Sequence, residues 1–396
     1  MNNTSRMTEA FVREYGREPA AASFAPYRVC PLGAHVDHNL GWVTGFAIDR
    51  GIRIAYAPRT DGVIEVCSLG FPGRAMWHIA QVPPAKQGDW ADHLRGATIA
   101  LGKRYELSTG LSAVIAGELP IGGLSSSAAV IIAYLSALAS VNNIRLSAEE
   151  MIETALETEH SYVGVFCGRL DQSCEVYCRR DHLLYMDMKT GEHELIPQPQ
   201  IMAPFEIAVF HSGLERSLAG SRYNMRVDEA RAAAYALLAY AGCDYGRFGE
   251  TNLRDVPFEL YCEHGSKLPE PWRRRAEHWY TESARVKDGV AAWRDGDITE
   301  FGRLIFESGK SSIYSWETGS PELCRLYEIM TETDGVYGGR FSGAGFKGCC
   351  VALIDPAYRE AVLDHVGREY LRSFPQLSGR YSAHICHTAD GVYAVL

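Results

Sequence analysis

The sequence predicts an α/β protein made of two domains. Its 396 residues exceed what one hydrophobic core usually covers. Strand-like and helix-like stretches mix through the first half, and a proline-broken passage near residue 199 separates that half from a more helical one. The two units are therefore expected at residues 1–198 and 199–396.

Taken in order, β-branched and alternating runs at Val43 to Ala57 and Val63 to Ser68 read as strands. A helical pattern covers Trp90 to Tyr105, Ser112 to Gly117 reads as a strand, and Ala128 to Ser140 as an apolar helix. Ser147 and Glu150 have capping-box spacing ahead of a helix from about Ala148 to Val163. Two prolines in Ile196-Pro-Gln-Pro-Gln200 stop the periodicity, and Phe205 to Phe210 resumes it as a strand. Helices are then expected at Tyr223 to Tyr240, Trp272 to Ala292 and Pro321 to Thr331, with strand-like endings at Cys349 to Ile354 and Gly391 to Leu396.

Composition narrows the partners. With 46% hydrophobic and 22% charged residues and no apolar run near 18 residues, nothing is expected to span a membrane. The Met1-Asn-Asn-Thr-Ser5 start lacks a signal-peptide core, so a cytoplasmic protein is expected. A net charge of -10 argues against nucleic acid and membrane surfaces, yet leaves room for an anionic small molecule held by local Arg and His. The 11 cysteines are odd in number, scattered and without a Cys-x2-Cys pair, which fits reduced thiols, mostly in the core, better than disulfides or zinc. The expected assembly is a monomer or a weak homodimer.

Three segments carry the chemistry. Leu119-Pro-Ile-Gly-Gly-Leu-Ser-Ser-Ser-Ala-Ala-Val-Ile-Ile132 is a glycine-serine turn running into an apolar helix. Gly122 and Gly123 let backbone approach a ligand, Leu124 follows, and Ser125, Ser126 and Ser127 supply hydroxyls and a cap. From Ala128 onward the first helical N–H groups face whatever binds, and phosphate suits them. No Gly-x4-Gly-Lys-Ser/Thr run occurs, so this is not a Walker-type loop. Capping alone also explains one such turn. A second glycine run, Gly338 to Leu353 with Gly343 and Gly345 inside it, precedes a strand, and a third segment, Ala25 to Asn39, crowds Arg28, His35, Asp37 and His38 together.

In this order and spacing the three segments resemble the galactokinase branch of the GHMP kinases, the galactose, homoserine, mevalonate and phosphomevalonate kinases. Cys167-Gly-Arg-Leu-Asp-Gln172, Tyr223-Asn224, Glu282-Ser-Ala-Arg-Val286 and Ser320-Pro-Glu-Leu323 extend the likeness along nearly the whole chain. The resemblance implies a ribosomal-protein-S5-like N-terminal domain, a ferredoxin-like C-terminal domain and an active site in the cleft between them. It also implies ATP and Mg2+. By motif, Gly122 to Ala128 with Gly343 and Gly345 hold the nucleotide phosphates, Ser127 and Glu159 ligate magnesium, and Trp90 lies near the base. Asp171 orients or deprotonates the sugar C1 hydroxyl, and Arg28 keeps Asp171 ionised and offsets charge on the transferring phosphoryl group. Asp37, Tyr223 and the Gly168 backbone hold ring hydroxyls, with His35 beside them and His38 contacting or supporting the sugar.

One departure speaks to substrate. Galactokinases read Gly-Glu-His-x-Asp-Tyr, whereas this chain reads Gly33-Ala-His-Val-Asp-His38. The family glutamate grips the C6 hydroxyl of galactose, and Ala34 removes that acceptor. It also removes a charge that, about 4 Å from a substrate carboxylate, would repel it by roughly 4 kcal/mol at an effective dielectric near 20. The Ala-His-x-Asp-His variant resembles that of galacturonokinases, so galacturonate is the expected sugar, with Arg169 or His38 as partner for its carboxylate. A plain galactokinase, a kinase of another C6-modified hexose and a non-catalytic sugar sensor are the alternatives.

Overall fold

The structure, a computed structural model, describes residues 3–214 and 220–392. In chain order its strands are β1 (Ala21–Val29), β2 (Trp42–Arg59), β3 (Val63–Ser68), β4 (Arg74–His78), β5 (Gly110–Gly117), β6 (His182–Asp187), β7 (His193–Pro197), β8 (Glu206–His211), β9 (Val336–Phe341), β10 (Cys349–Ile354), β11 (Ser382–Cys386) and β12 (Thr388–Ala389). An eight-stranded sheet runs β4-β3-β5-β2-β6-β7, with β1 and β12 also paired to β2, and a four-stranded sheet runs β11-β8-β10-β9.

β2 organises the larger sheet because its 18 residues are long enough to be shared. Trp42 to Gly45 pair with β6, Ile52 to Arg59 with β5, and β1 lies along Phe46 to Tyr56. The β1 ladder shifts register between Pro26 and Tyr27, the kind of irregularity that accommodates a residue with no N–H. Past that shift, Arg28 lies opposite Ala47 near the end of β1.

The Ser126–Val141 helix is apolar all round and buried along most of its length, so it lies inside the fold rather than on it. Ile131, Ile132, Leu135 and Leu138 have no solvent exposure, and burying each such side chain contributes roughly 1.5–3 kcal/mol. The same apolar cluster continues through Phe46 and Ile48 into Trp293, Phe301, Val351 and Leu353, joining both sheets to one core. This core fixes the two glycine-rich loops at one place, since one precedes the buried helix and the other enters β10.

The capping box forms, with Ser147 Oγ accepting from Glu150 N and the Glu150 carboxylate from Ser147 N. The helix expected to reach Val163, however, is α-helical only over Ala148–Glu157 and then widens into a π-turn at Thr158–Val163. The expected final strand, Gly391 to Leu396, lies mostly outside the described residues, which end at Val392. Among the described residues the last strand is β12, and Gly391 N donates to Cys178 O, where a side chain at 391 would meet Val176 O at 2.5 Å. Residues 393–396 lie outside the described residues. Among the described residues no helix is long and apolar enough to cross a membrane. All 11 cysteines are unpaired, and most are buried.

Candidate active site

The two glycine loops meet backbone to backbone. A Cβ at Gly348 would lie 2.6 Å from the carbonyl carbon of Gly122, and one at Gly343 would lie 3.0 Å from Gly123 Cα. Gly122, Gly123, Gly343, Gly345 and Gly348 all have positive φ, so side chains there are excluded by conformation as well as by space. Ser212 braces the junction by donating from N (2.8 Å) and Oγ (2.7 Å) to Gly348 O, while His211 Nε2 lies 3.2 Å from Ile121 O.

The expected serine cap is not made. Ser125 occupies the N-cap in the left-handed conformation, and its hydroxyl is spent on Asp171 Oδ2 at 2.6 Å. The helix beginning at Ser126 therefore keeps its leading N–H groups without a side-chain partner, the arrangement an anion needs. Leu124 and Ala128 are buried beneath this turn, while Ser126 and Ser127 remain partly accessible.

Arg28 ties the parts together. Its Nε donates to Asp171 Oδ1 at 2.7 Å, and its Nη1 donates to Gly123 O at 3.0 Å and Ser342 Oγ at 3.4 Å, one from each glycine loop. Burial opposes the Arg28 charge, but the Asp171 carboxylate outweighs burial and raises the guanidinium pKa. Asp171 sits in the first turn of the Leu170–Tyr177 helix, each carboxylate oxygen engaged by one donor.

The π-turn puts Glu159 next to this pair. Its Oε2 accepts from Gln172 Nε2 (2.6 Å) and Cys167 Sγ (2.9 Å). Burial pushes the Glu159 carboxyl up and Asp171 adds to it, against hydrogen bonds from Cys167 and Ser127. One helical turn after Asp171 lies Glu175, fully buried, with both carboxyl oxygens unpartnered. Burial, reinforced by Asp171, holds its carboxyl well above the usual range.

Next to Asp171 stands the third segment. Asp37 begins a short 3-10 turn, and a Cβ at Gly168 would lie 2.3 Å from Asp37 Oδ2, so only glycine fits opposite it. The Tyr223 hydroxyl is pushed up by burial and by Asp37. His38 Nδ1 is 3.5 Å from Asp37 Oδ1, and its ring meets Tyr223 edge-on at 6.0 Å. His35, at a left-handed φ of 62, stacks on Trp316 at 5.4 Å.

Ala34 is 8% exposed and held from behind. Glu282 Oε1 accepts from Gly33 N (2.7 Å) and Ala34 N (3.3 Å), and His278 Nε2 is 2.9 Å from Ala34 O. Ser308 and Arg285 hydrogen-bond Glu282, and Arg340 lies 3.7 Å away. Burial disfavours the Glu282 charge, yet Arg285, His278 and Arg340 hold its pKa down at about 2. Burial lowers His278 to about 4.

Known proteins resemble this chain in sequence and in fold. The GHMP kinase N-terminal domain family matches residues 92–179, its C-terminal counterpart 290–372, and the galactokinase galactose-binding signature 9–58. The chain is 36% identical to the galacturonokinase of Arabidopsis thaliana over 414 residues, covering 98% of this chain and 97% of that one. The chain is a GHMP kinase of the galactokinase branch. This GHMP kinase is also 34% identical to a galactokinase of Roseiflexus sp. (strain RS-1), covering 100% of this chain and 98% of the other. It superposes on Lactococcus lactis galactokinase complexed with galactose with a TM-score of 0.89 at 27% identity, over 98% of this chain and 99% of that one. It is a sugar-1-kinase, and GHMP kinases use ATP, generally with Mg2+.

Two further expected site residues of this GHMP kinase have partners of their own. The Arg169 Nη2 is held by both Glu149 oxygens, at 2.6 and 2.7 Å, and its Nη1 lies 3.8 Å from Glu153. Both carboxylates lie on the neighbouring Ala148–Glu157 helix. Trp90 stacks parallel to Phe71 at 6.3 Å, ahead of the Asp92–Gly102 helix. The clamp on Ala34 was outside the candidate residues, although the Glu282 to Val286 stretch was its signal.

Proposed function

We propose that this GHMP kinase transfers the γ-phosphoryl group of ATP to the C1 hydroxyl of galacturonate, giving galacturonate 1-phosphate and ADP. The observation that carries this reading is Ala34, a small neutral residue where galactokinases place the acidic grip on C6, with the buried Glu282 engaged by the Gly33 and Ala34 backbone N–H groups. The galacturonokinase relative supports it.

Asp171 receives or orients the C1 proton, the hydroxyl oxygen forms the new bond to phosphorus, and the bond from that phosphorus to the β-phosphate bridging oxygen breaks as ADP leaves. Arg28, fixed against Asp171, keeps the carboxylate paired and places a cation beside the transferring group. Asp37, Tyr223, His35 and the Gly168 backbone position the ring hydroxyls, with His38 beside them. The uncapped helix start over Gly122 to Ala128, with Gly343 and Gly345, holds the phosphates, and Trp90 adjoins the base. The Ser127 hydroxyl and the Glu159 carboxylate are a hard-oxygen pair of the kind Mg2+ takes while keeping phosphates and waters as its other ligands. When bound, Mg2+ supplies charge neutralisation to the phosphates. Residues 1–198 and 199–396 form the two walls of this cleft.

Galactose is the second reading, favoured by the galactose-binding signature at residues 9–58. Initial rates of ADP release with each sugar separate the two. A galacturonate kcat/KM at least tenfold above that for galactose is expected, with Asp171→Ala abolishing turnover of both; a tenfold preference for galactose rejects the proposal.

A further inference from the structure

Trp316 follows the C-terminal end of the Ile298–Tyr314 helix and is 1% exposed. Its ring stacks on His35 at 5.4 Å and 10°, and lies 5.3 Å from His38 and 5.4 Å from His278. Trp316 Nε1, His35 Nε2 and both ring nitrogens of His38 are buried without a hydrogen-bond partner. Unpaired polar atoms in a buried cluster are costly, and so many beside one residue mark a place where an acceptor belongs.

The acids nearby are already engaged. Glu282 is taken by Gly33, Ala34, Ser308 and Arg285; Glu229 and Glu317 are taken by Arg275; Asp37 faces Gly168 and His38. The cations are held back too. Arg340 is bound to Ser308 and Ser312, the Arg275 guanidinium lies 5.9 Å from the Trp316 ring, and Arg169 is turned away to Glu149. Burial, then the charge of Arg340, disfavours the protonated form of His35.

We propose that Trp316 is a specificity-determining residue, its indole N–H joining His35 and His38 in a set of ring N–H donors that receives the C6 carboxylate beside Ala34. This rests on the galacturonate reading. A carboxylate has about four lone-pair sites and accepts from several N–H groups at once, which a C6 hydroxyl cannot match. Selection for the carboxylate then comes from the number of donors, with no guanidinium entering the corner.

The test is the ratio of kcat/KM for galacturonate to that for galactose, measured in wild type and in Trp316→Phe, which keeps an aromatic ring and removes the N–H. The ratio is expected to fall roughly tenfold or more, the scale of a lost hydrogen bond to a charged group. A purely structural tryptophan would slow both sugars together and leave the ratio unchanged, which overturns the proposal. Benzothienylalanine at position 316, which keeps the ring shape and lacks only the N–H, gives the same reading if Trp316→Phe folds poorly. A wild type that prefers galactose rejects the galacturonate reading itself; a galacturonate-preferring wild type whose ratio ignores both replacements rejects Trp316 alone.

Discussion

Returning a glutamate to position 34 inverts the feature on which the substrate reading depends. Ala34 is 8% exposed, and its backbone is fixed by Glu282 at 3.3 Å and His278 at 2.9 Å, so the new carboxylate enters a nearly dry corner and cannot swing far away. Placed about 4 Å from a C6 carboxylate, it repels that group by roughly 4 kcal/mol at an effective dielectric near 20, or close to a thousandfold in kcat/KM. Arg285 and Arg340, both beside Glu282, offset part of this, which brings the expected loss for galacturonate to roughly a hundredfold or more. Galactose carries no charge there and gains an acceptor for its C6 hydroxyl, so its kcat/KM should hold or rise. The assay is steady-state ADP release with both sugars on one preparation of Ala34→Glu, with a melting curve to confirm folding. A loss below threefold for galacturonate, or an equal loss for both sugars, refutes the charge argument.

Gly348→Ala should reduce kcat/KM for ATP by tenfold or more. Its φ of 105 is unfavourable for alanine and its Cβ would meet Gly122 backbone at 2.6 Å, so the glycine loops must separate; unchanged ATP kinetics would contradict the close approach. Glu175→Gln should stabilise the protein with rising pH. The folded pKa of Glu175 lies above its unfolded value, so its stability contribution is intact below the ordinary glutamate pKa near 4.3 and is lost, at about 1.4 kcal/mol per pH unit, as pH climbs towards the folded pKa. Melting temperatures of variant and wild type should converge near pH 4 and diverge by pH 8; a gap constant with pH would show that Glu175 is not held protonated.

Much of the fold is legible in local pattern. Val63–Ser68 and Cys349–Ile354 are short β-branched and apolar runs between turns, and Pro321–Thr331 carries Ser320 as its cap and proline in its first turn, so the expected and observed bounds coincide. β1 is harder to see because Pro26 argues against a strand, and only pairing with β2 across a register shift makes it one. The Asn3–Tyr15 and Ile298–Tyr314 helices needed a closer reading of periodicity: Met7, Ala10 and Phe11 share one buried face, and Asp297 caps the second helix. The π-turn at Thr158–Val163 follows from tertiary packing, and no spacing rule marks it.

The site divides the same way. Arg28, Asp171, Ser125 and Gly123 were each marked by sequence, and the structure puts them within hydrogen-bonding distance of one another. Side-chain direction was not marked. Arg169 adjoins Gly168 in the chain but turns to Glu149, because an exposed carboxylate on a neighbouring helix offers a fork-shaped partner at the surface. The clamp on Ala34 joins Glu282, Ser308 and Arg340 from three separated elements, and Trp316 reaches His35 only after α-helical and loop segments pack together.

The most direct measurement puts equal concentrations of galacturonate and galactose in one reaction with limiting ATP and quantifies both sugar 1-phosphates by phosphorus NMR, so that their ratio reports the two kcat/KM values under identical conditions. Galacturonate 1-phosphate is expected to exceed galactose 1-phosphate at least tenfold. Galactose 1-phosphate in tenfold excess would contradict the account.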